Sequence, residues 1–472
     1  MSVVIVGGGI TGLVAARDLA AAGVPVTLVE AGSRLGGKIL TEHIDGFLVE
    51  TGPDSFLATR PAAIELCREL SLGDRLIGTR EPRTVYVRHR GRLVPLPEGL
   101  ALVLPTRLRP LLATPLFSPR EKLGMGRDLF LPRAKVDADE SVGAFLRRRL
   151  GDALVERLAG PLLGGIYGTD VDELSLLAVM PQLRAAEHGH RSLLLAGRAG
   201  PGASRGPKGP PAGSLFQSLA GGMSELVEGL RTALERCSQP PDVRTSTVAE
   251  ALEPTTSGHL IRLSDGSTVR AEAVILAAPA PAAARLLEAR VPEAARALRT
   301  IPFGSSVSVT LGFPQDGPPR PLLGHGFLVP PSEGLAINAC TWSSAKWPGR
   351  APLGFVLVRV SFRAPDAALL TASDETLVAV ARADLARSIA LRGEPAVARV
   401  ARWPNAMPRY TVGHLDRVRA VRAAVAPLPG IVLAGASYGG VGLTDCIAQG
   451  RAAAHDVLRR LGEQQSAHQG SG

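Results

Sequence analysis

The first thirty residues of the chain set its fold class. Residues 3–6 (Val-Val-Ile-Val) form a short apolar run, which is typical of a strand buried in a parallel sheet. A glycine-rich turn follows, and then "ITGLVAARDLAAAG", whose helical periodicity ends at Gly23, the kind of residue that usually closes a helix. "PVTLVE" supplies the next strand. The sequence therefore predicts a strand–helix–strand unit, and with it an α/β fold built on parallel strands.

The turn inside this unit has the spacing of a dinucleotide-binding site. Gly7 permits the tight turn, Gly9 lets the backbone approach a pyrophosphate, and Gly12 allows the helix to pack closely on the strand. The start of the helix then offers free N–H groups to the phosphates. Glu30, at the end of the second strand, is placed to accept hydrogen bonds from a ribose, and its charge disfavours the 2′-phosphate of NADP. The spacing alone does not separate NAD from FAD.

Length and composition describe a globular enzyme. The 472 residues suffice for two or three domains, 45% of them are apolar, and the mean hydropathy is +0.16. No apolar run approaches the roughly 20 residues of a transmembrane helix. The sequence enters a strand at once, without a signal peptide, which predicts a cytoplasmic protein. Four scattered cysteines indicate reduced thiols, and no cluster has metal-ligand spacing, so we predict no metal.

The net charge of +10 has a compositional explanation. Only five of the 53 basic residues are lysine, and the abundance of Arg, Ala, Gly and Pro indicates a GC-rich coding bias. The basic residues are not interleaved with aromatic ones, as they are in single-strand nucleic-acid binders. We therefore predict no nucleic-acid partner and leave open an attraction to anionic lipid.

Two later portions of the chain also have an α/β pattern. "GGMSELVEGLRTALERC" is an amphipathic helix followed by strands with an Asp-Gly turn, and "GIVLAGASYGGVGLTDCIAQGRAAAHDVLRRL" is a strand, a glycine-rich loop and a long helix. Together with the N-terminal unit they predict one domain made of discontinuous segments. "GRAGPGASRGPKGPPAG" is low-complexity and predicts a mobile loop, and the C-terminal tail predicts disorder.

The run "RLGGK" after Glu30 resembles the second glycine pair of flavoprotein amine oxidases and their relatives, and "GGVGLTDCI" resembles the closing motif of the same superfamily. That resemblance implies FAD as the cofactor, with amides at the last helix beside the reduced flavin. "TSTVAEAL" would add Val248 at the adenine. The positions predicted to contact FAD are Gly7, Gly9, Ile10, Thr11, Gly12, Glu30, Ala31, Arg34, Gly36, Gly37, Lys38, Gly52, Pro53, Asp54, Ser55, Val248, Trp403, Gly435, Val441, Gly442 and Leu443.

Six segments resemble the protoporphyrinogen oxidase family, in the same order along the chain. They are "ETGPDSF", "LLGGIYGTDVDELS", "LAGGMSELVEGL", "GFLVPPSEG", "RWPNAMPRYTVGH" and "GGVGLTDCI". The resemblance implies a Rossmann-like FAD domain, a mixed β-sheet substrate domain and an inserted helical membrane-binding domain. It also implies the six-electron oxidation of protoporphyrinogen IX to protoporphyrin IX, with molecular oxygen reoxidising FAD and yielding hydrogen peroxide. The predicted parts are 1–84 and 215–290 and 406–463 for FAD, 85–195 for the helical insertion, 196–214 for the loop, 291–405 for the substrate sheet and 464–472 for the tail.

The same resemblance places Leu162, Gly165, Tyr167 and Leu328 at the substrate. A glycine backbone permits the close approach that a flat macrocycle needs. Each leucine is also explained by ordinary core packing, and Tyr167 could equally pack beneath the pocket. Some family members pair a substrate propionate with an arginine, where this chain has Val94 and Ala101 instead. The nearby candidates that remain open are Arg92, Arg107 and Arg109.

No side chain in the sequence stands out as a catalytic acid or base, and we assign none. The pyrrole protons can leave to solvent, so the chemistry that the resemblance implies does not require one. His325 lies near a pocket segment, but a lone histidine is more often structural.

Residues 93–117 are apolar, interrupted by proline and by Arg107 and Arg109. They predict peripheral attachment to the cytoplasmic face of the membrane. Leucines that line an internal substrate channel are the alternative. A homodimer stays open.

Three other functions remain open. The missing arginine makes coproporphyrinogen III, to be oxidised to coproporphyrin III, the nearest alternative substrate. Another flavin oxidase or desaturase with the same glycine motif is the second alternative. A flavin-containing structural protein without turnover is the third.

Overall fold

The fold is described from a computed structural model of the chain. The model describes residues 2–101, 103–133, 138–199, 214–256, 258–363 and 367–469. Most of the predicted mobile loop, residues 200–213, lies outside this set, as do residues 470–472 of the tail.

Three distant segments of the chain build one parallel sheet. In spatial order its five strands are Asp242–Arg244, Val26–Val29, Val3–Val6, Ala273–Leu276 and Ile431–Leu433. Val3 and Ile5 face one apolar layer, whereas Val4 and Val6 face another, because successive side chains of a strand point to opposite sides. The sheet is therefore covered on both faces, and the predicted Rossmann-like fold from discontinuous segments is confirmed.

Helices and a small sheet supply the two covering layers. Four helices contribute to the layer over Val3 and Ile5, namely Ile10–Ala21, Ala62–Glu69, Ser224–Glu235 and Leu443–Gln469. The opposite layer contains helices Ala280–Leu287, Pro292–Arg299 and His414–Val425 with antiparallel strands Ala249–Thr255, Gly258–Leu263 and Thr268–Ala271.

A second, seven-stranded sheet is mixed. Its strands lie in the order Val397–Pro408, Phe303–Pro314, Phe355–Phe362, Ile337–Thr341, Gly326–Leu328, Val85–His89 and Arg92–Pro95. All neighbours are antiparallel except Gly326–Leu328 and Val85–His89, which run parallel. Helix Asp374–Ile389 buries Leu377, Ala381 and Leu385 against this sheet. The predicted mixed sheet is thus present, and its role in substrate binding stays a prediction.

The helical part of the chain follows strand Arg92–Pro95 and precedes strand Phe216–Leu219. Its helices are Leu108–Ala113, Pro119–Gly126, Val142–Leu150, Asp152–Leu154, Gly160–Tyr167, Leu176–Val179, Pro181–His190 and Leu193–Ala199, with a π-helical turn Val155–Ala159 and a 3-10 turn Arg127–Leu129. The shorter elements elsewhere are strands Thr41–Ile44, Phe47–Glu50, Phe56–Leu57, Leu76–Gly78, Leu100–Ala101, Leu104–Pro105 and Phe216–Leu219, helices Ser343–Lys346 and Ala367–Thr371, and 3-10 turns Gly73–Arg75 and Pro331–Glu333.

The elements differ from the sequence prediction at three places. Strands Val85–His89 and Arg92–Pro95 belong to the mixed sheet, so helical structure begins only at Leu108. The last helix continues to Gln469, into the tail predicted to be disordered from residue 464. Helix Leu193–Ala199 likewise runs into the loop predicted from residue 196. The exact domain boundaries stay predictions.

The apolar stretch 93–117 is less exposed than predicted. Val103, Leu111, Leu116 and Phe117 are buried in the core of the helical part, together with Leu328 of the mixed sheet. The prediction that this stretch turns its apolar face to a membrane is therefore wrong for these four residues, and their position favours the internal alternative. Among the described residues, no helix has the length and apolar character needed to cross a membrane.

Candidate functional site

The glycine turn of the first strand–helix–strand unit has the geometry of a phosphate cradle. A Cβ on Gly7 would lie 2.9 Å from the backbone of Ala277, and one on Gly12 would overlap the carbonyl oxygen of Gly7. A Cβ on Gly9 would meet no atom within 4 Å, so the space above this residue is open. Helix Ile10–Ala21 starts beside it with no side-chain cap and no acid in its first turn. Ile10 and Thr11 are buried behind the turn. An uncapped helix start facing open space fits an anionic group.

Glu30 stands at the end of the second strand, against the same turn. Its carboxylate accepts hydrogen bonds from the N–H groups of Gly8 at 2.6 Å and Gly32 at 2.7 Å. These bonds fix the carboxylate and leave each oxygen a lone pair for a ribose hydroxyl. Ala31 is exposed beside it. The N–H of Thr247 donates to the Glu30 carbonyl at 3.0 Å, which brings the half-buried Val248 alongside the strand end.

The second glycine pair folds back onto the first. The N–H of Gly36 donates to the Gly8 carbonyl at 2.8 Å, and the φ angles of Gly36 and Gly37 are +96° and +58°, a region that glycine adopts without strain. Arg34 donates to the carbonyls of Gly37 at 2.6 Å and Ile39 at 2.9 Å. Its guanidinium therefore shapes its own loop, and its predicted contact with the cofactor stays a prediction.

Lys38 follows this pair and is a half-buried cation. Burial lowers the pKa of its ammonium group, and no carboxylate among the described residues pairs with it. The thiol of Cys446, on the last helix, lies close enough to interact with its charge. An ammonium group withdrawn from water without a counter-charge needs an anion, and a pyrophosphate supplies one.

Gly52 touches the Lys38 segment directly, because a Cβ there would overlap the Lys38 carbonyl oxygen. The backbone around Gly52 is held from the mixed sheet. Arg359 donates to the Gly52 carbonyl at 2.6 Å, and the indole N–H of Trp403 donates to the Thr51 carbonyl at 2.8 Å. Trp403 thus acts on the segment that was predicted to touch the flavin, although its own contact with the flavin stays a prediction.

The carboxylate of Asp54 is bound within the protein. Its Oδ2 accepts from the ammonium of Lys346 at 2.8 Å and the indole N–H of Trp347 at 3.0 Å, and its Oδ1 accepts from Ser55 at 2.7 Å. Burial would raise the pKa of Asp54, but the charge and hydrogen bond of Lys346 outweigh it and hold the pKa well below its usual range. Pro53 is half-buried beside it. The hydrogen bonds of Asp54 to Lys346 and Trp347 fasten this segment to residues 346–347.

The C-terminal glycine loop completes the site from the other end of the chain. Gly435 follows strand Ile431–Leu433 with a φ of +118°, and a Cβ on it would lie 3.8 Å from the Thr11 hydroxyl. The first and last glycine loops are therefore neighbours. Val441 and Leu443 are half-buried and Gly442 is exposed at the start of the last helix.

Three of the four predicted substrate residues lie in one apolar cluster. Leu162, Tyr167 and Leu328 pack there with Val441 of the C-terminal loop. Burial raises the pKa of Tyr167. The fourth, Gly165, is exposed, and a Cβ on it would meet nothing within 4 Å. The arrangement joins the predicted substrate segment to the predicted flavin segment and leaves open space above the helix.

The arginines that the sequence offered as propionate partners, Arg92, Arg107 and Arg109, are exposed, and Arg107 lies 3.7 Å from Glu98. Their pairing with a propionate stays a prediction. His325 bonds the Arg80 carbonyl at 3.0 Å, and burial lowers its pKa.

Sequence reasoning missed Arg60, Arg359 and Tyr410. Arg60 forms an ion pair with Asp445 beside the last helix. Its charge also opposes the rise that burial causes in the pKa of Tyr167. Of the three, only Tyr410 lies in a segment quoted for its family resemblance, "RWPNAMPRYTVGH". Nothing in the sequence spacing distinguishes these residues from other arginines and tyrosines.

Comparison with known proteins decides between the cofactors. A family model described as flavin containing amine oxidoreductase matches residues 10–458. The chain belongs to the flavin-containing amine oxidoreductase family. This chain is therefore an FAD-dependent oxidoreductase. The predicted FAD cofactor and the predicted resemblance to flavoprotein amine oxidases and their relatives are confirmed. The open cradle at Gly9, the uncapped helix start, and Lys38, which pairs with no carboxylate in the described part of the chain, fit that cofactor.

Individual members of the family are similar to this flavoprotein over nearly its whole length. The coproporphyrinogen III oxidase of Propionibacterium freudenreichii is 40% identical, covering 96% of this chain and 90% of the relative. That of Bacillus subtilis is 38% identical, with 97% and 98% covered. The protoporphyrinogen oxidase of Bos taurus is 34% identical, with 97% and 98% covered. A crystal structure from Exiguobacterium sp. 255-15, provisionally assigned as a protoporphyrinogen oxidase, has a TM-score of 0.84 at 34% identity, with 97% and 98% covered.

Proposed function

We propose that this chain oxidises coproporphyrinogen III to coproporphyrin III in haem biosynthesis, with molecular oxygen as electron acceptor. The higher identity to the two bacterial coproporphyrinogen III oxidases than to the bovine protoporphyrinogen oxidase carries this choice. Protoporphyrinogen IX, which the sequence resemblance favoured, becomes the second candidate, and the bovine relative supports it. Three two-electron oxidations remove six hydrogens from the macrocycle. Three molecules of oxygen take them up as three molecules of hydrogen peroxide.

Bound FAD supplies the two-electron acceptor. The side chains of the chain bind and orient the macrocycle. Leu162, Tyr167 and Leu328 offer an apolar wall next to Val441, and Gly165 leaves room for a flat ring. No described side chain in this cluster is a free acid or base, and pyrrole protons can leave to solvent.

The number of propionates distinguishes the two substrates, and Arg60 is a suitable partner for one of them. Coproporphyrinogen III carries four propionates and protoporphyrinogen IX carries two. The Arg60 side chain is 63% exposed, forms an ion pair with Asp445, and is near enough to Tyr167, on helix Gly160–Tyr167, for its charge to lower the pKa of that phenol. A guanidinium there can bind a carboxylate bidentately at the edge of an apolar cluster.

Steady-state oxidation of both porphyrinogens tests this proposal, with porphyrin fluorescence as the readout. The proposal expects kcat/KM at least several-fold higher for coproporphyrinogen III. It fails if protoporphyrinogen IX is oxidised equally well or better. If neither substrate bleaches the flavin without oxygen, porphyrinogen oxidation is rejected altogether.

Arg60→Met tests the propionate contact. Loss of one charge-assisted hydrogen bond should raise KM for coproporphyrinogen III about ten-fold, and Arg60→Lys should recover part of it. Arg68→Met is the matched control, because Arg68 is exposed on the neighbouring helix Ala62–Glu69. Equal KM values for Arg60→Met and Arg68→Met would remove Arg60 from the site.

We also propose peripheral contact with an anionic membrane, at a surface that includes Leu112 of the predicted stretch 93–117 but otherwise lies beyond it. Leu112, Leu123 and Phe130 are 61%, 78% and 78% exposed on the helical part. Exposed Arg120 and Arg127 flank them, and neither pairs with an acid among the described residues. Apolar side chains ringed by cations are suited to an anionic lipid surface.

Sedimentation with phosphatidylglycerol vesicles tests that surface. The double variant Leu123→Asp/Phe130→Asp should abolish binding. Leu353→Asp should not, because Leu353 is fully exposed but lies far along the chain from the helical part, next to strand Phe355–Phe362 of the mixed sheet. Wild-type protein that does not sediment at low salt would reject membrane contact.

A further inference from the structure

Tyr410 is a buried residue that connects three parts of the fold. It follows strand Val397–Pro408, precedes helix His414–Val425, and is 4% exposed. Its hydroxyl donates to the Ala436 carbonyl at 2.6 Å and accepts from the Gly440 N–H at 2.7 Å. These two groups are the ends of residues 436–440, the loop between Gly435 and the last helix. One hydroxyl therefore closes this loop.

The backbone conformation at Gly440 admits no side chain. The φ of Gly440 is +125°, and a Cβ there would overlap the side chain of Asp445. Only glycine fits this position, and glycine has more backbone freedom than other residues. The hydrogen bond to Tyr410 therefore restrains a glycine, together with the Cys446 thiol, which donates to the Gly440 carbonyl at 3.7 Å.

Tyr410 is itself held from two other sides. The N–H of Ser175, in the helical part, donates to its carbonyl at 2.7 Å. The His414 ring stacks on its phenol ring, with centroids 3.8 Å apart and planes inclined by 15°. Tyr410 also belongs to the same apolar cluster as Tyr167, on helix Gly160–Tyr167. The residue thus stands between the substrate segment and the C-terminal loop.

His414 is suited to hold this position as a neutral ring. It is fully buried, and neither of its nitrogens has a hydrogen-bond partner among the described residues. Burial and the nearby Arg417 lower its pKa to about 4, against a smaller opposing effect of Asp139. It presents an uncharged flat face to Tyr410 at neutral pH.

We propose that Tyr410 is a positioning residue that sets the loop 436–440, and through it the start of the last helix, for FAD binding. Val441 and Leu443 open that helix and can direct backbone N–H groups at the cofactor. Loss of the hydroxyl leaves the half-buried Ala436 carbonyl and Gly440 N–H without their partner, which is costly. The inference rests on the placement of FAD in the proposed function.

The test compares Tyr410→Phe with Tyr86→Phe in the full-length chain. Tyr86 is the matched control, because its hydroxyl also donates to a carbonyl, that of Leu323 at 3.1 Å, but in the mixed sheet. We expect Tyr410→Phe to raise the FAD dissociation constant about ten-fold and to change the visible absorbance of bound flavin. With saturating FAD, kcat should fall while KM for the porphyrinogen stays within about two-fold.

Two outcomes overturn the inference. One is an FAD dissociation constant and flavin spectrum for Tyr410→Phe that match those of Tyr86→Phe. The other is a higher porphyrinogen KM with unchanged FAD affinity, which would place Tyr410 on the substrate side. If Tyr410→Phe does not fold, His414→Ala replaces it, because it removes the stacked ring and keeps the hydroxyl, and the same FAD measurements decide. An inactive wild type would reject the proposed function, and the FAD measurements would still test Tyr410.

Discussion

The parallel sheet and the helical part achieve burial by different means. Around the sheet the contacts are apolar or between backbones: Val3 and Ile275 are fully buried, and Gly12 packs directly against Gly7. In the helical part three charged side chains, Arg149, Glu187 and Asp128, are buried with 0–1% exposure. Burial of a charge is tolerated only when hydrogen bonds replace the lost water.

Glu187 is the centre of that charged group. Its carboxylate accepts from Arg148 at 2.8 Å, Arg149 at 3.0 Å and Arg184 at 2.8 Å. Burial would raise its pKa, but the hydrogen bonds and charges of Arg148 and Arg149 lower it to about 2. The parallel sheet therefore depends on apolar packing and close backbone approach, whereas the helical part depends on buried ion pairs. Single substitutions in each region should show how much its stability depends on that kind of contact.

Gly12→Ala should have the largest effect, because its Cβ would overlap the Gly7 carbonyl within a closely packed backbone contact. We expect loss of folded, FAD-containing protein on purification, beyond the roughly 1–3 kcal/mol of ordinary overpacking. Gly9→Ala is the control, since its Cβ would meet no protein atom within 4 Å. That variant should fold with a melting temperature near wild type and bind FAD more weakly. Equal yields of FAD-loaded Gly12→Ala and wild type would contradict the packing argument.

Glu187→Gln should have the next largest effect and should act on the helical part. Removal of one partner from a buried ionic group leaves arginines uncompensated and costs about 3–5 kcal/mol. Glu235→Gln breaks an exposed ion pair with Arg231 on helix Ser224–Glu235 and should cost at most about 0.5 kcal/mol. Urea unfolding measures both. A Glu187→Gln variant as stable as Glu235→Gln would show that the buried group is dispensable.

The comparison also explains what the sequence could predict. The glycine spacing, Glu30 and the apolar run Val3–Val6 are local patterns, and the cofactor fold followed from them. Arg148 and Arg149 lie 39 and 38 residues from Glu187 in the sequence, and no local period links them to it, although Arg184 is three residues away on the same helix. The sequence therefore predicted helices there but not what holds them together.

The candidate site divides in the same way. Gly9, Glu30 and Gly435 were predicted from motifs, and the fold brings their segments together. Arg359 and Tyr410 act on backbone carbonyls and amides, and side-chain-to-backbone contacts between distant segments have no sequence signature. The apolar stretch 93–117 misled because apolar composition does not distinguish an exposed face from a buried one.

His414 lies at the junction of the two regions and should make stability depend on pH. Its pKa is lowered to about 4, against an ordinary value near 6.5, with Arg417, Asp139 and Tyr410 facing it. Above pH 6.5 the ring is neutral in both states and its contribution is fully present. As pH falls from 6.5 to 4 only the unfolded chain takes up the proton, so about 3 kcal/mol is lost.

Unfolding free energies between pH 7 and 4 check this dependence. His414→Phe keeps an aromatic ring without the titration and should show a flatter decline than wild type. His43→Gln, at an exposed histidine, should follow wild type. Parallel curves for wild type and His414→Phe would exclude His414 as the source.

Ser118→Ala should have the smallest effect, and it shows that the helical part also contains local signals. Ser118 caps helix Pro119–Gly126: its hydroxyl accepts from the Glu121 N–H at 3.3 Å, and its own N–H donates to the Glu121 carboxylate at 2.7 Å. This Ser-x-x-Glu capping box is readable from sequence. Loss of the hydroxyl should cost about 1 kcal/mol in urea unfolding, and Ser118→Asp should keep most of it.

Glu121 itself is unsuited to this test, because it also accepts two hydrogen bonds from Arg157, at 2.8 and 2.9 Å, from the π-helical turn Val155–Ala159. Its substitution would remove a local cap and a long-range ion pair together. If Glu121→Gln costs more than Ser118→Ala, the difference measures the part of this helix's stability that comes from Arg157, 36 residues away. Equal costs would mean that local capping alone stabilises this helix, and the contrast between the two regions would not extend to it.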